Sequence, residues 1–431
     1  MGNEYIKIKR AMKRIKLLMM AMLLLLAIGA KGQVVTLNEC LAMARDNYPA
    51  VARFLIIEQS KNYTLSNANR AYLPQLSLEG KATYQSDVIT IPLDMPGLEI
   101  PTPDKDQYQI VAQANQIIWD GGKIAANKEM IKAGAEAEKK ELETELYTLR
   151  ERVNGLYFGI LLMQEQLKLQ GVLEDELQRN YERVSSYIEN GIANEADLSS
   201  VKIEQLKAKQ QRIDMESAQE AYLQMLAILT GAELSSETEF VKPPVEPQSS
   251  VVKINRPELD LFVAQEATID AQTRGLKSGV MPVIGAFAQG GYGKPGLNML
   301  QNEFDAFFLG GVKLSWNIGN LYTLKNSIKT NELKKLSIDT QRDTFIHNLN
   351  MQISQQQNEI DKYRKTMEDD EEIIRLQQLI KDAAEAKVEN GTMTVSDMLK
   401  ELTALEMAKQ AKLLHEVQHI NSIYKLKNTT N

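Results

Sequence analysis

A short turn sequence occurs twice in this chain, 200 residues apart. The segments IENGIANEADL (188–198) and VENGTMTVSDM (388–398) share glutamate, asparagine, glycine and aspartate at four equivalent positions. Each turn ends a stretch of about 70 residues without proline, at 120–190 and at 320–390. A helix of this length would be roughly 105 Å long and would need a coiled-coil partner. The sequence therefore predicts two long helical hairpins that end at these turns.

The similarity between the two parts of the chain extends well beyond the turn. QIIWDGG (116–122) and WNIGNLY (316–322) are also 200 residues apart, whereas LPQLSLEG (73–80) and MPVIGAFA (281–288) are 208 apart. The difference falls in a loop rich in proline, and loops tolerate changes in length. The prolines of this loop are Pro92, Pro96, Pro101 and Pro103. We therefore predict a tandem duplication, with structural repeats at 33–231 and 253–431 and a linker at 232–252.

Each repeat is predicted to have the same order of elements. A helical stretch, at about 37–72 or 258–277, precedes two strands, a long helix and a return helix that ends near Gly231 or Lys427. QLSLEGKATY (75–84) alternates between apolar and polar residues, as in a strand with one apolar face. Gly191 and Gly391 suit the left-handed position just after a helix end.

The N-terminus has the pattern of a secretory signal peptide. Six basic residues within 1–16 precede an uncharged apolar run at 17–28 and then small residues. We predict a signal peptide at residues 1–32, with an uncleaved anchor as the alternative. The remaining chain carries 43 basic and 56 acidic residues, a net charge of −13 that argues against nucleic acid as a partner. No second long apolar run exists, so strands would have to enter any membrane.

Cys40 is the only cysteine in the chain and cannot form an internal disulfide. It follows TLNE and lies well beyond the apolar run, which is not the position of a lipidated cysteine. We predict a buried, unreactive thiol.

Four strands per chain constrain the oligomeric state if they enter a membrane. They cannot close a barrel, since small barrels need about eight strands, and an open sheet in lipid leaves backbone groups unpaired. Three chains would give twelve strands. The predicted fold is an α+β membrane protein in which long antiparallel helical hairpins form an α-barrel and a homotrimer shares one β-barrel.

The order of these motifs resembles the TolC-like outer membrane efflux family. The resemblance rests on TLNECLAMARDNYP (36–49), LPQLSLEG, QIIWDGGK (116–123) and the duplicated tip NGxxxxxDL or NGxxxxxDM. It implies a passive exit duct of a tripartite efflux or type I secretion system, in the outer membrane and extending into the periplasm. The implied partners are a periplasmic adaptor (membrane fusion) protein, an inner-membrane transporter and outer membrane lipid. No cofactor or bound metal is implied.

The resemblance also assigns candidate functional residues at the hairpin tips. Asp197 and Asp397 match the tip aspartates of the family, and Lys400 replaces a second aspartate that would add to an acidic pore constriction. The adaptor-docking turns would contain Asn190, Gly191, Asn390 and Gly391. The residues at the positions of the family's tyrosine and arginine latch are Val388 and Met393.

The tip aspartates have two interpretations from physical chemistry alone. Three copies of Asp397 near an axis would attract cations into a narrow pore, and Lys400, one turn on, could offset that charge. Alternatively, Asp197 and Asp397 cap the return helices, which does not exclude pore lining.

The strand-to-helix junctions form the second group of candidate residues. They contain Trp119, Asp120 and Gly121 in the first repeat and Asn317 and Asn320 in the second. Aromatic residues near strand ends are candidates for membrane-interface girdles, with ordinary packing as the alternative. These are Tyr84, Tyr108, Trp119, Tyr292 and Trp316.

HEVQH (415–419) is the one enzyme-like motif, because two histidines one helical turn apart can bind zinc while Glu416 activates water. Residues 420–431 offer no third ligand, and the equivalent positions of the first repeat are Met215 and Gln219. We therefore predict no enzyme activity. An exported zinc protease and a periplasmic coiled-coil scaffold remain the alternatives to the duct.

Overall fold

A computed structural model describes residues 34–89, 102–191, 193–245, 253–299 and 301–431. The predicted signal peptide, most of the proline-rich loop and residues 246–252 of the predicted linker lie outside the described residues. The helices are α1 (Leu37–Asn47), α2 (Ala52–Arg70), α3 (Lys123–Glu189), α4 (Glu195–Thr230), α5 (Pro257–Gly279), α6 (Asn320–Glu389) and α7 (Val395–Thr430). The strands are β1 (Val34–Val35), β2 (Gln75–Tyr84), β3 (Asp106–Trp119), β4 (Glu239–Phe240), β5 (Val283–Lys294) and β6 (Asp305–Ser315).

The long helices end one residue before the predicted positions, at Glu189 and Glu389. The predicted helical stretch at 37–72, by contrast, is not continuous. Tyr48 is extended, with φ −69° and ψ 121°, and a 3₁₀ turn at Pro49–Val51 separates α1 from α2. The proline ring disfavours helical geometry in the residue before it, which explains the break. None of the described helices is both long and apolar enough to cross a membrane.

The first of two compact units comprises the described parts of Met1–Val51, Glu145–Arg256 and Asn348–Asn431. Its larger apolar core joins α1 to parts of α3, α4 and α7. Cys40 lies fully buried in this core, and burial, with a smaller contribution from Glu39, raises the pKa of its thiol to about 12. The thiol is therefore buried and protonated, as predicted for an unreactive cysteine.

A short parallel strand pair borders this core. Val34 pairs with Glu239 and Val35 with Phe240, so part of the predicted linker is ordered as β4. The buried Tyr157 hydroxyl lies 3.0 Å from the carbonyl oxygen of Val35 and 2.7 Å from that of Val241. Tyr157 thus fixes both segments to α3.

The second unit, Ala52–Thr144 and Pro257–His347, contains an antiparallel sheet in the order β2-β3-β5-β6. The register aligns Leu78, Ala112, Gly290 and Phe308 across the four strands. Because directly paired residues share a face, this register assigns the paired residues to one side of the sheet, up to a register shift between Ile117 and Trp119.

The two faces of the sheet differ in polarity. One face, called here the apolar face, carries Leu76, Leu78, Tyr84, Tyr108, Ile110, Ala112, Ala114, Ile284, Ala286, Ala288, Tyr292, Ala306, Phe308, Val312 and Leu314, with Asp106, Gln116 and Lys294 towards the strand ends. The opposite, polar face carries Ser77, Glu79, Lys81, Thr83, Gln107, Gln109, Gln113, Asn115, Gln289, Asp305 and Lys313, together with Val111, Ile117, Val283, Phe287, Phe307 and Leu309. Many side chains of the apolar face are exposed, with Leu78 at 74% and Phe308 at 72%. A soluble surface seldom exposes such a contiguous apolar area, so this face needs a non-aqueous partner.

The first strand-to-helix junction is closed by Asp120, which is buried. Its Oδ1 accepts a hydrogen bond from the Gly122 amide (2.9 Å), and its Oδ2 accepts one from the Ile124 amide (2.6 Å) at the start of α3. A carboxylate at this position satisfies amides that the first helical turn leaves unpaired. Gly121 and Gly122 both have left-handed backbones, with φ of 70° and 85°.

The second junction uses different contacts for the same turn. The Trp316 indole nitrogen donates to the Val280 carbonyl oxygen (2.9 Å), and the Asn320 side-chain amide donates to the Gly279 carbonyl oxygen (3.3 Å). The Asn320 backbone amide donates to the Asn317 carbonyl oxygen at 3.4 Å. Asp120 therefore closes the first junction onto the following helix, whereas the side chains of the second junction bond to the end of α5 just before β5.

Substitution of Gly121 tests how tightly the first junction is packed. A Cβ at Gly121 would overlap the Met281 side chain and lie 3.1 Å from the Pro282 oxygen, whereas a Cβ at Gly122 would meet no atom within 4 Å. Both alanine variants incur about 1–2 kcal/mol for a left-handed backbone. Gly121→Ala should lose a further ~1–3 kcal/mol from overpacking. Thermal unfolding in detergent should rank Gly121→Ala well below Gly122→Ala; equal midpoints would contradict this packing.

Candidate functional site at the hairpin tips

Both hairpin turns follow a left-handed glycine. Gly191 has φ 74° and Gly391 has φ 66°, as their position after a helix end led us to expect. In the second turn the Gly391 amide donates to the Val388 carbonyl oxygen (2.9 Å) and the Thr392 amide to the Lys387 carbonyl oxygen (2.8 Å). This pair of bonds is the Schellman closure of a helix end.

The asparagine before each glycine is also bonded to its own helix. The Asn190 side-chain amide donates to the Ser186 carbonyl oxygen at 2.8 Å, and that of Asn390 donates to the Ala386 carbonyl oxygen at 2.7 Å. The backbone amides of Asn190 and Asn390 donate to the same two carbonyl oxygens, at 3.2 Å and 3.1 Å, so each asparagine bonds twice to its helix end. The four predicted adaptor-docking residues therefore form two ordered, exposed turns.

Both tip aspartates lie at the third position of a return helix. Asp197 Oδ2 accepts from the Asn194 amide (3.1 Å), while Asn194 Oδ1 accepts from the Asp197 amide (3.2 Å). Thr394 caps α7 in a similar way, since its hydroxyl accepts from the Asp397 amide (3.1 Å) and donates to Asp397 Oδ2 (2.8 Å). Both carboxylates thus stabilise a helix N-terminus, where the helix dipole favours negative charge.

Asp397 also forms an ion pair with Lys400. The Lys400 Nζ lies 2.7 Å from Asp397 Oδ1. Hydrogen bonds from Lys400 and then from Thr394 lower the pKa of Asp397, and the bond to Asp397 raises the pKa of Lys400. The two side chains are 46% and 73% exposed, so the pair adds little stability. The pair mainly affects the local electrostatic potential, because the positive charge of Lys400 lies within one helical turn of the negative charge of Asp397.

The tips contain a second apolar core, called here the tip core. Its buried residues come from α3, α4, α6 and α7 together: Leu177, Val184, Val201, Ala208, Ala384, Val388, Val395, Met398, Leu399 and Leu402. Val388 is buried in it and Met393 packs against it. The two positions that matched the polar latch of the family therefore have a packing role.

A cluster of charged residues beside the tip core was not predicted from the sequence. Lys381 of α6 lies 2.6 Å from Glu176 of α3 and 3.1 Å from Glu385, and Arg183 of α3 lies 3.4 Å from Glu385. Burial acts to lower the pKa of Lys381, but the hydrogen bonds to Glu176 and Glu385 outweigh it and the pKa is raised. The sequence shows only the i,i+4 spacing of Lys381 and Glu385; the contact with α3 depends on tertiary packing.

The HEVQH residues are not arranged as a zinc site. The Nδ1 atom of His415 lies 2.9 Å from a carboxylate oxygen of the buried Asp370, and Glu416 forms an ion pair with Lys242 at 2.9 Å. His419 has a lowered pKa, because it is partly buried and because Arg364 is nearby. Within the described parts of the chain, no group of three or more histidine, cysteine, aspartate or glutamate side chains could hold a metal ion.

The candidate residues thus form separate groups. Asn190, Gly191, Asn390 and Gly391 lie in the tip turns of the first unit, with Asp197, Asp397 and Lys400 in the following helix turns. Trp119, Asp120, Gly121, Asn317 and Asn320 lie at the junctions in the second unit. The girdle candidates lie in the second unit at or near strand ends, and Tyr292 stacks on Phe304 at 5.6 Å between ring centroids.

Comparison with known families identifies the first part of the chain. Residues 41–232 match the family described as Outer membrane efflux protein. This confirms the resemblance drawn from the sequence, and with it the predicted outer membrane location. No curated protein sequence matches the chain.

Solved structures show that the similarity in fold covers nearly the whole chain. The Campylobacter jejuni CmeC outer membrane channel has 14% identity and a TM-score of 0.66, over 91% of this chain and 85% of that one. The outer membrane protein VceC from Vibrio cholerae has 13% identity and a TM-score of 0.66, over 91% and 94%. The open state of the Neisseria gonorrhoeae MtrE channel has 13% identity and a TM-score of 0.66, over 91% and 88%. The predicted fold class of long helices with a small set of strands is confirmed.

Removing Lys400 tests whether Asp397 faces a conduit. Lys400→Met would leave the charge of Asp397 without its counter-charge, so we expect a shift of the reversal potential toward cation selectivity in planar bilayers. The double variant Lys400→Met/Asp397→Ala removes both charges and should return to the wild-type value. An unchanged reversal potential in Lys400→Met would exclude this pair from the conducting path.

His419 gives the fold a dependence on pH. Its pKa is lowered in the folded state, so the unfolded chain binds more protons as the pH falls through about 6.5, and stability should fall with it. His419→Gln should reduce the difference between the unfolding temperatures at pH 8 and pH 5. The matched control is His347→Gln, since His347 is exposed. The account is wrong if both variants keep the full wild-type difference.

Proposed function

We propose that this chain is the outer membrane exit duct of a tripartite efflux or type I secretion system. The duct is passive: an inner-membrane transporter supplies the energy, and a periplasmic adaptor connects the two proteins. The strands would lie in the outer membrane and the hairpins would extend into the periplasm. The family match of residues 41–232 and the channel fold support the efflux conduit.

The main support for this proposal is the apolar face of the sheet together with its two open edges. Among the described residues, one face of the sheet is largely apolar, and β2 and β6 are each paired on one side only. In lipid, unpaired strand edges have no water to satisfy their amides and carbonyls, so a four-stranded sheet must find further strands. Three chains joined edge to edge give twelve strands, an even number within the range of known outer membrane barrels. We therefore propose a homotrimer with one shared barrel, whose apolar face contacts lipid and whose polar face lines the lumen.

The tips are the proposed periplasmic end of the duct. Asn190, Gly191, Asn390 and Gly391 would form the surface on which the adaptor docks, because they are exposed and fixed by their own hydrogen bonds. Asp397, Lys400 and Asp197 would lie at the pore entrance. The ion pair of Asp397 with Lys400 supports a weaker acidic constriction than two aspartates would create.

We propose no enzymatic role for the chain. Its HEVQH side chains have structural partners, as Asp370 binds His415 and Lys242 binds Glu416. A scaffold made only of coiled coils is disfavoured by the apolar sheet, since such a protein has no use for an exposed face of this kind. Glu416→Gln should accordingly leave conduction unchanged.

Reconstitution of the purified protein into planar bilayers tests the conduit. The folded protein should add discrete conductance steps, and the same preparation after heat denaturation should add none. If folded protein that partitions into the membrane never conducts ions, the duct proposal is wrong.

Adjacent residues on opposite faces of β2 test the position of the sheet. Leu78 belongs to the apolar face and Ser77 to the polar face. An arginine facing lipid near the bilayer midplane costs about 2–4 kcal/mol, whereas one facing a lumen does not. Leu78→Arg should strongly reduce the amount of protein assembled in the outer membrane, while Ser77→Arg should assemble normally. Equal loss in both variants, or in neither, would contradict the assignment of the faces.

A further inference from the structure

One end of the four-stranded sheet is bordered by an excess of basic residues. The ten residues before β2 and before β5, and the ten after β3 and after β6, join this end of the sheet to helices. They contain six basic and two acidic residues, namely Arg70, Lys123, Lys128, Arg274, Lys277 and Lys325 against Asp120 and Glu129. The chain after residue 32 as a whole has the opposite balance, with 43 basic and 56 acidic residues. Positive charge is therefore concentrated at this end of the sheet.

Both acidic residues of these segments already have partners. Asp120 accepts hydrogen bonds from two amides at the start of α3, and Glu129 lies 2.8 Å from Arg274. The other five basic residues, called here the basic collar, have no ion-pair partner among the described residues: Arg70, Lys123, Lys128, Lys277 and Lys325. All except the half-buried Lys128 are exposed. The collar therefore presents uncompensated positive charge to its surroundings.

The two segments that join β2 to β3 and β5 to β6 have the reverse balance. Residues 85–105 and 295–304 contain five acidic residues and one basic residue: Asp87, Asp94, Glu99, Asp104 and Glu303 against Lys105. These segments follow the strand ends opposite the collar. The charge of the sequence thus changes sign between the two ends of the strands, so the two ends suit different surroundings.

Aromatic side chains lie between the apolar face and the collar. Trp119 pairs with Ile284 at the end of the apolar face, and Trp316 comes two residues after Leu314. Both indole rings are about half exposed, and Tyr322, near the start of α6, is 84% exposed. Tryptophan and tyrosine favour the boundary between lipid tails and headgroups. The order apolar, aromatic and basic therefore matches the tails, the boundary and the headgroups of a lipid leaflet.

We propose that the basic collar binds anionic phospholipid headgroups in the leaflet of the outer membrane that faces the periplasm. This inference rests on the proposed function, which puts the sheet in the outer membrane and the long helices in the periplasm. Ten residues of helix extend about 15 Å from a strand end, so the collar lies at the depth of the headgroups. Lysine and arginine are attracted to an anionic surface over roughly a Debye length, about 8–10 Å. The collar would then fix the depth and the orientation of the sheet.

The alternative position for these side chains is the wall of the conduit. Basic residues that line a conduit attract anions into it and change its ion selectivity. They do not change which lipid surrounds the protein. The two positions therefore predict different measurements.

Spin-labelled lipids test the proposal in vesicles that contain the reconstituted full-length protein. The wild-type protein should immobilise anionic phosphatidylglycerol about two- to fivefold more than zwitterionic phosphatidylcholine. The preference should disappear in 1 M salt, where the Debye length falls to about 3 Å. A wild-type protein without a preference at low salt, or with one that survives 1 M salt, would overturn the proposal.

Two matched variants show whether the collar is responsible. The collar variant replaces one arginine and three lysines: Arg70→Gln/Lys123→Gln/Lys277→Gln/Lys325→Gln. The control replaces one arginine and three lysines of α3 and α4 in the first unit: Arg179→Gln/Lys202→Gln/Lys207→Gln/Lys209→Gln. The collar variant should immobilise both lipids equally, and the control should keep the wild-type preference. A collar variant that keeps the lipid preference but changes its ion selectivity would place these residues in the conduit and overturn the proposal.

The outcomes separate this proposal from the duct itself. A protein that conducts ions without a preference for the anionic lipid refutes the collar alone. One that prefers the anionic lipid but never conducts refutes the duct alone. If the collar variant fails to assemble, the salt dependence of the wild-type protein still decides.

Discussion

The requirement that strand edges be hydrogen-bonded in lipid determines most of what this chain can be. In the part of the chain that the structure describes, the four-stranded sheet presents a broad apolar face and leaves one side of β2 and one side of β6 unpaired. Water can satisfy such edges, but lipid cannot. Further strands of the same kind would pair with both open edges, and they would continue the apolar face that lipid covers. The simplest source of these strands is further copies of the chain.

The long helices of the chain are subject to a different constraint. Helices of 67 and 70 residues need partners along their length, and the tip core gives both hairpins of one chain a common partner. At the tip turns, glycine geometry and side-chain bonds close each long helix, and the aspartates begin each return helix. Asp197 and Asp397 both cap return helices, and Asp397 also pairs with Lys400, so each tip carboxylate has a local structural partner.

Much of the fold was predictable because its signals are local and repeated. The proline-free stretches, the glycines at 191 and 391 and the alternation in QLSLEGKATY each specify an element through nearby residues. The break at Tyr48 could also have been predicted, because Pro49 follows it directly. The β1–β4 pair and the Lys381–Glu176 contact join segments about 200 residues apart, and no local pattern marks such pairings. The capping of α7 by Thr394 and Asp397 was only partly predictable. The sequence showed the spacing of a helix cap, but it was equally consistent with a position of Asp397 in a pore lining.

The central claim is that three copies of this chain complete one barrel, and imaging of single particles extracted from outer membranes tests it most directly. The account predicts particles with three-fold symmetry in which β2 of one chain pairs with β6 of the next, so that twelve strands close. A monomeric particle, or an oligomer in which the edges of β2 and β6 remain unpaired, would contradict it.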